Sequence, residues 1–375
     1  MVFAFCPNLG DEYEDCLLLP HLKDQATSAN CKFCLTSLIE QHAQVYLSTE
    51  LYSTEEALPK AKVDVTSVLK CFPLITDDKI VLAMAAWYTF LCVMDDAVEK
   101  LDNMMGLNQA IAKLQTAGED AEEDSVPESY SRSCSGAFQR SIDEVRILAF
   151  TAAYISHTRA LLPHDLHRGL LRASATVLEA MLSESQWRTQ ASIKESTYLL
   201  IRCETVGMRP FFLLAHYNFD PTSALKPLHP RLETAMSNLR TAVGLQNDLI
   251  GLERDLGEGE LFNYVLRSRR PSVEQMGQRW MRAIALHNEA IRSAIEAWKV
   301  LRRARKVGEL ECLECLLKFV ERHFLWATSA VRYKPQQSNL LLSESVKNGR
   351  WTWIECDDDD SGRDIREDRQ QWLRS

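Results

Sequence analysis

The chain has 375 residues, 46% of them hydrophobic and 25% charged, with a formal net charge of −9 at pH 7. Such a chain can bury a sizeable core, as one large domain or two ordinary ones. Its acidic balance excludes the basic footprint that holds nucleic acid or an anionic membrane surface, but admits a polyanionic ligand whose charge metal ions compensate.

The N-terminal MVFAFCPNLGDEYEDC has no basic n-region and turns acidic at Asp11, so it does not have the form of a signal peptide. No apolar run reaches the roughly 18 residues of a spanning helix. The nearest, Ile80 to Met94, ends in two aspartates. These features point to the cytoplasm, with no stable membrane insertion. The eleven cysteines, an odd number, are expected as reduced thiols. Two C-x-x-C pairs occur, Cys31/Cys34 and Cys312/Cys315. The spacing would serve zinc, but the second pair falls in a helical pattern where Cys is usually a small buried hydrophobe.

Apolar periodicity is helical nearly everywhere, and alternating strand patterns bounded by turn residues are missing. Long helices are expected over Asp77–Leu101, Gly136–Leu162, Asp165–Trp187, Ile193–Tyr217, Pro230–Leu256, Ser272–Arg305 and Glu309–Tyr333. Thr76 with Asp77 and Asp78 opens the first, Pro230 suits a first helical position, and Ser272 precedes Glu274 and Gln275. The acidic stretch within Thr116–Ser135 has the composition of a solvated loop, and the three prolines of Asp220–Pro230 mark a connection. The expected fold is all-α, a single helical bundle over residues 1–335, followed by a polar, flexible tail over 336–375. There is no internal repeat, no Gly-rich phosphate loop and no G-x-S-x-G elbow.

The helix from Asp77 is apolar almost all round, as a buried central helix must be, yet it runs into Asp95 and Asp96. Two carboxylates there are costly unless something pairs with them. In DDAVE, Asp95 and Glu99 are four apart and share a helical face, a pattern that suits a hard divalent cation as well as a plain acidic helix end. In NDLIGLERD, Asn247, Gly251 and Asp255 recur every four residues along one stripe, with Arg254 beside it. The bland alternative for this stretch is a polar helix face in which Asp248 or Glu253 pairs with a neighbouring arginine.

Together the two motifs resemble the paired metal-binding motifs of the class I terpene synthase (terpene cyclase) family, compact microbial or fungal type. YLLIRCETVG, with Tyr198, Arg202, Thr205 and Gly207, is similar to that family's pyrophosphate-sensor segment, a helix that breaks just afterwards; Gly207 and Pro210 supply the break. Arg332-Tyr333 is similar to its terminal diphosphate-binding pair. The family pattern has Ser or Thr where this chain has Gly251, leaving one ligand missing; Gly leaves room that a water could take.

The resemblance implies a magnesium-dependent enzyme that ionises an isoprenyl diphosphate and steers the carbocation. Three Mg²⁺ ions, with Mn²⁺ as a substitute, would sit on Asp95, Asp96 and Glu99 and on Asn247, Gly251 and Asp255. Arg202, Arg254, Arg332 and Tyr333 would stabilise the leaving diphosphate. Tyr88, Thr205, Phe211, Phe319 and Trp326 would line a dry pocket, where aromatic faces can stabilise a cation, whereas Trp87 and Trp187 are expected in the core. Farnesyl diphosphate is the expected substrate, giving a sesquiterpene hydrocarbon or alcohol. The alternatives are a geranylgeranyl-diphosphate-using diterpene synthase, a chain-elongating isoprenyl diphosphate synthase, and a helical binding protein without catalysis. A homodimer is common in that family and is not written in these residues.

Overall fold

The computed structural model describes residues 2–7, 17–20, 34–98, 104–119, 141–188, 192–222, 226–260, 262–268, 271–329 and 351–355. Among them are eleven α-helices. These are α1 (Leu35–Leu47), α2 (Thr54–Cys71), α3 (Asp78–Val98), α4 (Met105–Glu119), α5 (Ile142–Leu161), α6 (His164–Arg188), α7 (Glu195–Thr205), α8 (Met208–Phe219), α9 (Pro230–Glu258), α10 (Val273–Arg303) and α11 (Val307–Ser329). Three short strands, β1 (Val2–Pro7), β2 (Leu17–Pro20) and β3 (Trp351–Glu355), form an antiparallel sheet in the order β2-β1-β3.

The helix starts follow their local chemistry. Ser53 with Glu56, Ser141 with Glu144 and Ser272 with Gln275 form capping boxes, which satisfy backbone N–H groups that a helix leaves free. Pro230 opens α9, and Gly259 in the left-handed region (φ 73°) closes it. Three helices fall outside the periodic reading: α1, α2 and α4. In α2, Pro59 lies inside the helix and polar residues dominate the first turns, so neither period nor breaker rules mark it. The connection expected from Thr116 begins later, because α4 continues to Glu119.

The strands are a further difference from the sequence expectation. Each spans six residues or fewer, too short to show a period of two within a helical sequence. Phe3 pairs with Leu19 on one side and with Glu355 on the other, so part of the stretch expected as a tail joins the sheet. The body of the fold is all-α, as expected.

Helix α3 occupies the centre, packed against α1, α2, α5, α6 and α8. Residues Ile80 to Trp87 are all at most 1% exposed. By length and composition α3 alone among the described residues could cross a membrane, but its apolar window is 72% buried inside the bundle. Buried Asp64 ties α3 to its neighbours: its Oδ2 accepts from Tyr46 Oη (2.6 Å) and Thr89 Oγ1 (2.6 Å), with His42 Nε2 at 3.2 Å. One carboxylate oxygen thus holds α1, α2 and α3 together through buried hydrogen bonds. Trp87 is fully buried, as expected, and Trp187 packs half-buried against a second cluster built around Tyr198, Leu249 and Tyr264.

Burial also sets the protonation of four histidines. His157, His167, His287 and His323 are each pushed down to about 4. Unfolded imidazole takes its proton near pH 6.5, whereas these take it only near 4, so stability is lost as pH falls from about 6.5 to about 4. Replacing the fully buried His287 by Gln is expected to flatten this slope by about 1.4 kcal/mol per pH unit. Urea unfolding between pH 7 and 4.5 measures it; equal slopes in both proteins would show that His287 titrates normally.

Candidate active site

One large cleft opens between α2, α3, α6, α7, α8, α9 and α11, enclosing about 1170 Å³ of atom-free space, part of it continuous with solvent. It gathers most of the residues singled out in the sequence. Tyr88 and Asp95 come from α3, Arg202 and Thr205 from α7, Phe211 from α8, Asn247, Arg254 and Asp255 from α9, and Phe319 and Trp326 from α11. Asp96 is half-buried beside Asp95 and does not line the cleft. Gly251 is buried in α9 and also contributes no lining. Glu99, Arg332, Tyr333 and Cys31 lie outside the described residues.

The polar part of the wall is an interlocked set of charges. Asp248 is fully buried and faces away from the cleft. Its Oδ1 meets Arg202 Nη2 at 2.8 Å, and its Oδ2 accepts from Tyr198 Oη (2.5 Å) and from the Tyr264 backbone N–H (3.3 Å). Burial pushes the Asp248 carboxyl up to about 6, against the pull of Arg202, so it is ionised at neutral pH. Arg202 keeps a buried Nε without a hydrogen-bond partner among the described residues, on the side chain that lines the cleft. Asp255 Oδ1 accepts from Arg254 Nε (3.0 Å) and Nη2 (2.6 Å), while its Oδ2 accepts from Asn263 Nδ2 (2.9 Å).

Five participants here are not apparent from the sequence: Glu184, Arg188, Glu260, Asn263 and His323. Arg188 binds Glu184 (2.8 Å) and Glu260 at the edge of the cleft. Glu184 is buried, and burial pushes its carboxyl up against the opposing pull of Arg202 and Arg188. Its i,i+4 spacing to Arg188 is the only local signal. Asn263, fully buried, also donates to the Asp248 carbonyl (2.8 Å).

The apolar part is a run of rings. Phe72 stacks on Phe211 (5.4 Å) and Phe319 (4.3 Å), Phe319 meets His323 (5.6 Å), His323 meets Trp326 (6.0 Å), and Trp326 meets Tyr88 edge-on (6.1 Å). His323 lies four residues after Phe319 and three before Trp326 and so shares their stripe, although the aromatic spacing of seven does not include it.

The donor set suits a hard divalent cation. Asp95, Asn247 and Asp255 offer oxygens to one cleft, and Asn247 Oδ1 is buried with no hydrogen-bond partner among the described residues. No group of three His, Cys, Asp or Glu side chains forms a cage among the described residues. Magnesium is commonly held by one or two carboxylates and completed by water or phosphate oxygens, and Asp95 and Asp255 are two carboxylates on this wall. At Gly251 a Cβ would lie 3.3 Å from Asp255 Oδ2, so the Asp255 carboxylate packs close over the glycine. Cys312 and Cys315 are buried thiols whose pKa values burial raises, as core cysteines and not metal ligands.

The expected helix over Ile193–Tyr217 is broken at Gly207, which has φ 74°. The break is held from α3: Trp87 Nε1 donates to the Gly207 carbonyl at 2.8 Å, and a Cβ on Gly207 would lie 2.4 Å from Leu91 Cδ2.

This architecture, an α-helical bundle around a cleft with carboxylates and arginines on one part of its wall and aromatic rings on another, is the class I terpenoid synthase fold. Residues 86–270 match the model of terpene synthase family 2, C-terminal metal binding. The chain is accordingly a member of the class I terpene synthases, an enzyme of the terpene synthase/cyclase kind. Similar solved structures include 2-methylisoborneol synthase from Streptomyces coelicolor A3(2), in complex with Mg²⁺ and geranyl-S-thiolodiphosphate (18% identity, 81% of this chain and 92% of that one, TM-score 0.56). Linalool/nerolidol synthase from Streptomyces clavuligerus, in complex with 2-fluorogeranyl diphosphate, is similar over 80% of this chain and 95% of its own (16% identity, TM-score 0.56). An α-eudesmol synthase is similar over 79% and 95% (16% identity, TM-score 0.53). At these identities the likeness concerns the fold. No curated protein matches the chain in sequence.

Gly207→Ala should cost about 1–3 kcal/mol of stability, from a left-handed backbone and a displaced Leu91. Denaturant unfolding gives the value; wild-type stability would mean that the break does not depend on glycine.

Proposed function

We propose that this enzyme uses Mg²⁺ to ionise farnesyl diphosphate in the cleft and convert the cation to a C15 terpene, with inorganic diphosphate as co-product. The observation that carries this is the meeting of Asp95 from α3 with Asn247 and Asp255 from α9 in one cleft whose remaining wall is a run of aromatic rings. Bound magnesium would supply positive charge to the leaving diphosphate. In this reading Asp95, Asp96 and Glu99 hold the cations on one side, and Asn247 and Asp255 hold one on the other. Arg254 keeps Asp255 oriented, and Arg202, Arg254, Arg332 and Tyr333 donate to diphosphate oxygens. The buried, unpartnered Nε of Arg202 supports its part. Tyr88, Phe211, Phe319 and Trp326 exclude water and present π-faces to the cation, with Thr205 at the turn beside them.

The bulk of Tyr88, Phe211, Phe319 and Trp326 supports a C15 chain over the C20 runner-up, geranylgeranyl diphosphate. The buried α3 and the acidic surface balance support a cytoplasmic enzyme acting without nucleic acid or membrane insertion.

The test offers geranyl, farnesyl and geranylgeranyl diphosphates together with Mg²⁺, followed by mass spectrometry of the extract and measurement of released diphosphate. A C15 terpene is expected to dominate, and Asp95→Asn in a folded protein to lose turnover by roughly 100-fold or more. A dominant C20 product would overturn the chain length; no diphosphate release from any of the three would overturn the activity.

Gly251→Ser restores the hydroxyl of the family pattern, yet its side chain must press on Asp255, which Arg254 and Asn263 hold from both sides. The Mg²⁺ concentration for half-maximal rate is therefore expected to rise several-fold, on the order of the 10-fold effect of disturbing a ligand's supporting contacts. A Mg²⁺ titration decides it; a lower half-maximal concentration would mean that Asp255 yields and the hydroxyl binds.

A further inference from the structure

A buried polar chain runs from α10 through α9 to α11 and ends at the ring wall. Its directions can be assigned one group at a time. Gln246 Nε2 lies 3.5 Å from the Val320 carbonyl, which can only accept, so the amide nitrogen belongs on that side. Gln246 Oε1 then faces His323 Nδ1 at 3.0 Å and accepts from it, which places the proton of His323 on Nδ1. Gln246 Nε2 donates to His287 Nε2 (3.2 Å), and His287 Nδ1 in turn donates to Asn288 Oδ1 (3.1 Å). Every member has a role, and His323 is left with an Nε2 lone pair. That nitrogen has no hydrogen-bond partner among the described residues, and the ring lines the cleft between Phe319 and Trp326.

We infer that His323 is a catalytic base that ends the reaction, taking a proton from the terminal carbocation to give an alkene. The inference rests on the terpene synthase reading of the cleft. The lone pair on Nε2 forms a new N–H bond with a hydrogen on the carbon next to the cationic centre. The electrons of that C–H bond close the C=C double bond, and His323 becomes an imidazolium. It passes the proton to the departing diphosphate or to water when the cleft opens, so no oxidant or other reactant is needed.

Three features favour this assignment over a packing role. The tautomer is fixed by three residues behind the ring, an investment that ring stacking alone does not require. The added proton lands on Nε2 without reversing any hydrogen bond in the chain, because Nδ1 still donates to Gln246. Burial keeps the imidazole neutral before reaction, with its pKa pushed down to about 4, and a carbocation is acidic enough to protonate so weak a base.

The test compares the wild type with His323→Phe and His323→Asn, each checked for folding by circular dichroism and thermal melting. Phe keeps the ring wall without a lone pair, and Asn keeps a polar contact to Gln246 without a base at the Nε2 position. Two quantities are read with the preferred isoprenyl diphosphate: diphosphate released, and the share of each product per diphosphate. The wild type should make mainly a hydrocarbon. In both variants diphosphate release should persist, while the share of the main alkene falls on the order of tenfold or more and isomers or water-quenched alcohols replace it. An unchanged product share in both folded variants, a loss of diphosphate release in both, or a wild-type product that is mainly an alcohol would overturn the assignment. A wild type that releases no diphosphate would instead sink the terpene synthase reading itself.

Discussion

The charge on Asp248 has to be kept inside the bundle, and much of the cleft follows from how that is done. A fully buried carboxylate is tolerable only with a counter-charge and hydrogen bonds. Arg202, Tyr198 and the Tyr264 backbone supply them from α7 and from the segment after α9. The arrangement fixes the rotation of α9, since neighbouring helical positions point about 100° apart. With Asp248 turned inward, Asn247 faces the cleft, and Asp255 two turns on lies on the same side. The motif therefore divides its labour: its aspartate holds the helices, and its asparagine is left to line the cleft. The same pair places Arg202 at the cleft wall, with its buried Nε left without a hydrogen-bond partner among the described residues.

The opposite demand comes from α3, whose residues want no water at all. Its apolar surround buries it among five helices, and Asp95 emerges at the cleft only in its last turns. The Trp87 contact with the Gly207 carbonyl extends this rigidity to the α7–α8 break, so the helix carrying Asp95 and the turn following Arg202 are set relative to each other by a hydrogen bond inside the core. Rigid backing of this kind keeps catalytic side chains near their working geometry.

The fold was legible where periodicity was strong. Helices α3, α5, α6, α9, α10 and α11 stand close to their expected ranges, and the break at Gly207 was visible because only glycine and proline mark such a turn. Helices α1, α2 and α4 and the short strands carried too little pattern. Within the site, residues linked by fixed spacing on one helix were found: Asp95 with its apolar run, and Asn247 with Asp255. The pocket aromatics came from spacing combined with the family resemblance. What spacing could not disclose were partners brought together from distant segments. Arg188 meets Glu260 across 72 positions of sequence, and Gln246 meets both His287 and His323 across 41 and 77. Such pairings are tertiary facts, as is the burial of Glu184, a charged residue on a helix whose sequence does not mark it for the interior.

The folded-back Asp255 carboxylate above Gly251 also has a meaning for descent. The Asp255 carboxylate rests close against the face that the glycine leaves without a side chain. A serine with this aspartate brings its Cβ to 3.3 Å from the carboxylate, a contact at which one of the two must yield. The two positions are thus epistatic: each single step away from Gly and Asp disturbs the partner, and a lineage passing between this arrangement and the hydroxyl-bearing one would cross most easily by changing both. Across relatives, residues aligned with 251 and 255 should vary as a pair.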